Sequence, residues 1–343
     1  MITLVFLSSA LFLGWSMGAN DAANIFGTAV GSRMLKFATA ATLASIFIIV
    51  GSTFGGGAAD TLSKLGSVDV LAGAFGVTLA SALTVALMTR FGLPVSSSQA
   101  IVGGIIGWNL YSGQKTEMDL VTKIASTWLI NPLLAMGFAF VLFFIVRALL
   151  NRSKIHLLTR DSTTRLGLII IGTFGAYNLG ANGIVSVIGV FVNSNPFPAI
   201  EYGIFHMSAQ HVLFFVGGLA IALGVITFSK RVMMTVGSDI YRLSPVGALI
   251  VVMSVSIVLF LFSSRSLHDF LVSHHLPALP LVPISSSQAS VGSVIGVALA
   301  KKGRNINLNS LVKISFGWVS SPLLTIAITF IVLLFLDKML GIM

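Results

Sequence analysis

Cysteine is absent from this 343-residue chain. Disulfides, thiolate metal sites and thiol catalysis are thereby excluded. Charge is nearly as scarce: 9% of residues are Asp, Glu, Lys or Arg, against 56% hydrophobic, and mean hydropathy is +1.00. A soluble domain of this length needs far more charge to cover its surface. The short alternating segments of a β-barrel are missing too. No hydrolase triad, nucleotide loop or zinc pattern is present, so an enzyme is not expected. Acids are scarcer than bases, 10 against 20. The resulting charge of +10 does not point to a nucleic-acid partner, because cations between membrane helices are the ordinary orientation signal.

What is present is apolar sequence from end to end. It predicts an all-α polytopic membrane protein with ten spans, near 3–31, 38–58, 70–89, 94–110, 124–146, 166–190, 203–228, 244–263, 279–299 and 310–336. Met1 to Trp15 has the hydropathy of a signal peptide but no basic n-region. It runs straight into GANDAAN and is expected to be the first membrane helix. The first and sixth spans are long or glycine-rich, which predicts broken helices. The fourth and ninth are short and open on proline, which predicts re-entrant or discontinuous ones.

The two halves repeat. PVSSSQAIVGGIIG (94–107) matches PISSSQASVGSVIG (283–296), and VTKIASTWLINPLLA (121–135) matches LVKISFGWVSSPLLT (311–325). GANDAANIFGTAVG (18–31) matches GANGIVSVIGVFV (180–192) more weakly. The organisation expected is repeat one over 1–147, a basic cytoplasmic linker over 148–165 and repeat two over 166–343. The boundary holds Arg147, Arg152, Lys154, Arg160 and Arg165 against Asp161. With it in the cytoplasm, Arg33, Lys36, Lys230, Arg231, Arg242, Lys301, Lys302 and Arg304 also fall inside. The mixed loops Asp60/Lys64/Asp69, Lys115/Glu117/Asp119 and Arg265/Asp269 fall outside. Opposite bias in equivalent loops is what two inverted repeats of about five transmembrane segments require. Both termini would then face out.

The duplicated strings carry the chemistry. Proline suits the first turn of a helix, and serines there cap free N–H groups. A helix that starts in mid-membrane aims its first N–H groups, and the positive end of its dipole, at one spot. That is an anion site without a lysine. Hydroxyls of Ser96, Ser97 and Ser98 and the Gln99 amide add donors, and Ser285, Ser286, Ser287 and Gln288 repeat them. Gly103, Gly104 and Gly107 let neighbouring helices approach. Two such starts brought together would clamp a small oxyanion near the midplane. The alternative is a proline-kinked helix with serines bonded to the preceding turn; the copy in register favours the clamp.

Asp21 lies deep in apolar sequence and needs a cation, a proton or a polar partner. Asn20, Asn24 and unwound carbonyls are hard oxygen ligands suited to Na⁺, with a sodium at Asp21 and Asn24 one outcome and a polar packing cluster the other. The second half keeps Asn182 and Ser186 but has Gly183 in place of the acid. His206 and His211, expected on the seventh span, serve as packed or relay groups rather than metal ligands. His274 and His275 fall in an outer loop, and Gly55-Gly56-Gly57 reads as a turn. Lys123 and Lys313 precede paired tryptophans and either snorkel or funnel an anion.

GANDAANIFGTAVGS, the paired P-[VI]-S-S-S-Q strings and the W-x-x-x-P matches together resemble the inorganic phosphate transporter (PiT) family, over nearly the whole chain. The resemblance implies an inverted-repeat secondary transporter, a homodimer in the plasma membrane, moving phosphate with Na⁺ or H⁺ and needing no cofactor; a related branch carries sulfate. By the family pattern Asn20, Asp21 and Asn24, with Asn182 opposite, line the ion and substrate region, and Ser96 to Gln99 and Ser285 to Gln288 hold the anion. There are departures. The family repeats its acid where this chain has Gly183 and its asparagine where this chain has Ser186. It has Ser-Thr-Thr-His where this chain has Ser-Ser-Ser-Gln. Many members carry a glutamate where this chain has Ile48. Fewer acids mean fewer coupled cations or a less charged substrate. Sulfate accepts hydrogen bonds only and suits amides and hydroxyls, whereas Asp21 and GANDAAN favour phosphate. A passive anion channel, and a membrane subunit serving a partner protein, are the rival classes; the buried acid favours coupling over conduction.

Overall fold

A computed structural model of the chain describes residues 2–55, 68, 70–152, 156–202, 205–234, 240–303 and 306–340. Gly56, Gly57, Asp60, Lys64, Asp69, Lys154 and Arg304 lie outside the described residues. The chain opens with α1 (Ile2–Asp21) and α2 (Ala23–Gly31), followed by α3 (Phe37–Phe54), α4 (Leu71–Arg90) and the shorter α5 (Ser97–Ser112). The long α6 (Met118–Arg152) and α7 (Leu157–Ile188) follow, then a 3-10 turn, Gly189–Ser194, and a hairpin of β1 (Ile200–Tyr202) and β2 (Phe205–Met207). After these come α8 (Ala209–Phe228), α9 (Lys230–Met234), α10 (Pro245–Ser263), α11 (Arg265–Ser273), α12 (Ser286–Ala300) and α13 (Leu308–Leu340). Among the described residues eight helical stretches are long and apolar enough to cross a membrane. The two shorter helices, α5 and α12, are those that begin at the serine strings. The molecule is an all-α, multi-pass membrane protein.

Several expectations are corrected. The first span is interrupted only at Ala22, immediately after Asp21, where the backbone stays right-handed helical. The sixth is not interrupted: α7 runs unbroken through Gly180-Ala181-Asn182 and tightens only at Gly189. At the place of the missing acid Met17 Cε fills the position a Cβ on Gly183 would take, so a side chain there would have to displace the end of that flexible thioether. The seventh span starts later than expected. Ser208 is extended and its hydroxyl accepts from His211 N–H at 3.2 Å, which caps α8 and leaves His206 in β2, opposite Glu201. The expected linker is largely helix, with Arg147 and Arg152 on the end of α6 and Arg160 and Arg165 on the start of α7.

Packing is reciprocal between the halves. Helix α3 packs on α7 and α8 on α1; α4 packs on α1 and α10 on α7; α5 packs on α13 and α12 on α6. Exchanging the halves maps this set onto itself. The last pair is closely packed. A Cβ on Gly103 would run into the Pro322 carbonyl oxygen, and a Cβ on Gly292 into that of Pro132. Backbone therefore meets backbone, as small residues permit in membranes. Buried hydroxyl pairs, Ser9 with Thr78 at 2.6 Å and Thr325 with Thr84 at 3.0 Å, tie further helices together. The outward faces of α6 and α13 expose Leu129, Leu133, Val319 and Leu323, as helices facing lipid do.

Candidate functional site

Each serine string begins its helix as the residues dictate. Ser96 and Ser285 are the N-caps, extended in backbone, and their hydroxyls accept from Gln99 N–H at 3.2 Å and Gln288 N–H at 3.3 Å. They also pair with Ser98 at 3.1 Å and Ser287 at 3.0 Å. The first-turn N–H groups beyond those have no acceptor within the helix.

The residues ahead of each start, around Pro94 and Pro283, are extended and buried, so their backbone groups need outside partners. Two asparagines supply them. Asn20 Nδ2 donates to Thr89 Oγ1 at 2.8 Å and to the Leu93 carbonyl at 2.9 Å, while its Oδ1 accepts from Val95 N–H at 3.1 Å. Asn182 Nδ2 donates to the Ile284 carbonyl and its Oδ1 accepts from Ile284 N–H, both at 3.0 Å. Both ends of each amide are bonded to protein. Asn20 and Asn182, expected to line the ion and solute region, bond the prolyl segments in this structure. Asn131 does similar work on the second string, donating to the Ser285 carbonyl at 2.7 Å. Sequence reasoning missed it; a buried asparagine beside Pro132 in mid-span was the available signal.

The two strings meet at the break between α1 and α2. Ser97 Oγ donates to Asp21 Oδ2 at 2.7 Å. Ser286, from the other half, joins the same cluster: its oxygen accepts from Asn24 Nδ2 at 2.9 Å. Asp21, Asn24, Ser97 and Ser286 are all buried. Asp21 Oδ1 and Asn24 Oδ1 have no hydrogen-bond partner. Two such buried acceptors three residues apart, each costing about 1–3 kcal/mol if left alone, are of the hard-oxygen type that could hold a cation or a proton.

On their other side the helix starts border a cavity of about 540 Å³ between α6 and α13. Gln99 and Gln288 line it, with Trp128, Pro132, Trp318 and Pro322. The Oε1 atoms of both glutamines and the Nε1 atoms of both tryptophans are buried and unpartnered. Lys123 and Lys313 are exposed near the beginnings of the same two helices.

These features agree with what the chain is similar to. A candidate phosphate permease of Methanocaldococcus jannaschii is 27% identical over 94% of both chains. A sulfate permease of Bacillus subtilis is 26% identical over 94% of this chain and 84% of its own. The solved structure of a sodium-dependent phosphate transporter superposes over 99% of this chain and 100% of that one, with a TM-score of 0.78 at 20% identity, and so shares the fold. Residues 17–268 and 279–342 match the phosphate transporter family, and with reciprocal halves and paired serine strings over that same length the chain belongs to it.

Proposed function

We propose that the protein imports inorganic phosphate across the cell membrane, coupled to Na⁺ or H⁺, by alternating access. One observation carries this: Ser97 donates to Asp21 Oδ2, and Ser286, from the opposite half, accepts from Asn24 in the same buried cluster. In that arrangement the Ser97 proton is directed at a carboxylate and Ser286 is tied to Asn24. A cation bound by Asp21 Oδ1 and Asn24 Oδ1 neutralises the acid and draws Asp21 and Asn24 away from the two hydroxyls. The anion then docks on them and on the free N–H groups of α5 and α12. Binding the cation first thus creates the anion site, which is coupling in its thermodynamic sense. The halves then rock about the site, as reciprocal packing allows. Both termini outside, and repeats of inverted sense, fit the charge bias of the loops; the homodimer rests on the family resemblance alone.

Sulfate is the second reading. It is supported by the likeness to the sulfate permease and by a single acid at a site otherwise made of hydroxyls and amides. The test is uptake of labelled phosphate and sulfate in competition by proteoliposomes, with Na⁺ and H⁺ gradients imposed in turn. Accumulation of phosphate driven by one gradient is the expected result. Flux that needs no gradient would leave a channel, and preference for sulfate would give the second reading its place.

A further inference from the structure

A separate cavity of about 460 Å³ opens where the end of α3 meets the starts of α8 and α11. Gln210 and His211 line it from the first turn of α8, and Arg265 and Ser266 from the first turn of α11. The caps Ser208 and Ser264 each accept one N–H, from His211 and Leu267, both at 3.2 Å. The remaining first-turn N–H groups lack intrahelical acceptors, and both dipoles present their positive ends. A second, independent feature is Ser263. It is 6% exposed, lines this space, and its hydroxyl has no hydrogen-bond partner. Among the described lining residues there is no acid. At ~30 Å³ per water the space holds roughly fifteen waters, room for a tetrahedral anion with part of its hydration shell.

The cavity also borders the helix that holds the second serine string. Its floor is Tyr177, Asn178 and Ala181 of α7, and Asn178 is one helical turn from Asn182, which holds the start of α12. The reciprocal place at the other end of the molecule is filled. Trp15, which stands before Gly18-Ala19-Asn20 as Tyr177 stands before Gly180-Ala181-Asn182, donates its Nε1 to Thr227 at 2.9 Å and packs on Phe12 and Phe228.

We infer that this cavity is a second oxyanion site, distinct from the serine strings, on the face where the loop charges put the outside. It collects free tetrahedral oxyanion from solution and stages it above Asn182. A phospholipid headgroup shares that chemistry, so the test separates the two sources. Equilibrium binding of labelled phosphate to the full chain in neutral detergent should give two phosphates per chain. Arg265→Gln should leave one, and Arg265→Lys should restore two. The side chain of Arg265 is exposed, so the exchange is compatible with folding; His211→Gln with Ser263→Ala gives an independent reading. Ser97→Ala with Ser286→Ala should remove the other phosphate and spare this one, which keeps failure of the inner site distinguishable. In phosphatidylcholine discs two phosphates should remain. A drop to one in phosphatidylglycerol discs alone would support the same site with a competing headgroup. Two phosphates persisting in both Arg265→Gln and the His211/Ser263 variant, or one in every condition, would overturn the inference.

Discussion

The first and second halves of the molecule hold their serine strings alike and differ in the polar residues set beside them. In both, an asparagine clamps the extended residues before the helix, a serine caps the helix, and a glycine seats it on the other half's proline. Only the first half puts a carboxylate beside this machinery; in the second, Gly183 leaves that space to Met17. On the proposed reading the difference separates two tasks: holding an oxyanion would use features present twice, and sensing a cation would use Asp21 and Asn24, which are present once. One acid would then mean one strong cation locus per anion.

Asp21→Asn attacks this asymmetry most directly. It should abolish concentrative uptake and erase the dependence of phosphate affinity on cation, a coupling that typically spans about 5–150-fold. Binding should persist, since the amide leaves both strings in place; isothermal titration with and without Na⁺ checks it, and unchanged cation dependence would remove Asp21 from coupling. The symmetric part is probed by Ser97→Ala and Ser286→Ala made singly. Each removes a donor worth about 1.5 kcal/mol, so each should weaken phosphate binding about tenfold, and by similar factors. Loss in one and none in the other would show the clamp to be one-sided. The smallest expected effect, a few-fold change in rate, belongs to Gly183→Asp combined with Met17→Ala, which restores the second acid and the space for it. Its signature is a steeper dependence of uptake on Na⁺; an unchanged slope would mean that the acid needs more than room.

The sequence made the architecture legible through apolar runs, and the strings legible through repetition, because both are local patterns. Ser96 and Ser285 as caps, and Gly103 as a close contact, follow from residue type and position alone. What it hid depends on partners distant along the chain. Nothing local says that Asn20 and Asn182 reach the backbone of the prolyl segments, since Leu93 and Ile284 lie 73 and 102 residues away along the chain. The contacts of Asp21 with Ser97 and of Gly183 with Met17 likewise join different elements. His206 was placed on a helix because hydropathy continues through it, while the cap at Ser208 is a matter of backbone conformation. Asn131 went unremarked inside a span dominated by leucine, and Ser263 became visible only once three helix ends framed a cavity.

The crosswise seating of Gly103 on Pro322 and Gly292 on Pro132 has a consequence for biosynthesis. The hydroxyl-bearing helix of the first half emerges from the ribosome long before the surface it rests on has been translated. It must wait in the insertion machinery or the lipid until the final segment arrives, whereas its twin finds a finished support. A truncation that removes α13 would therefore unseat the serines at 96–98 and leave those at 285–287 resting on α6.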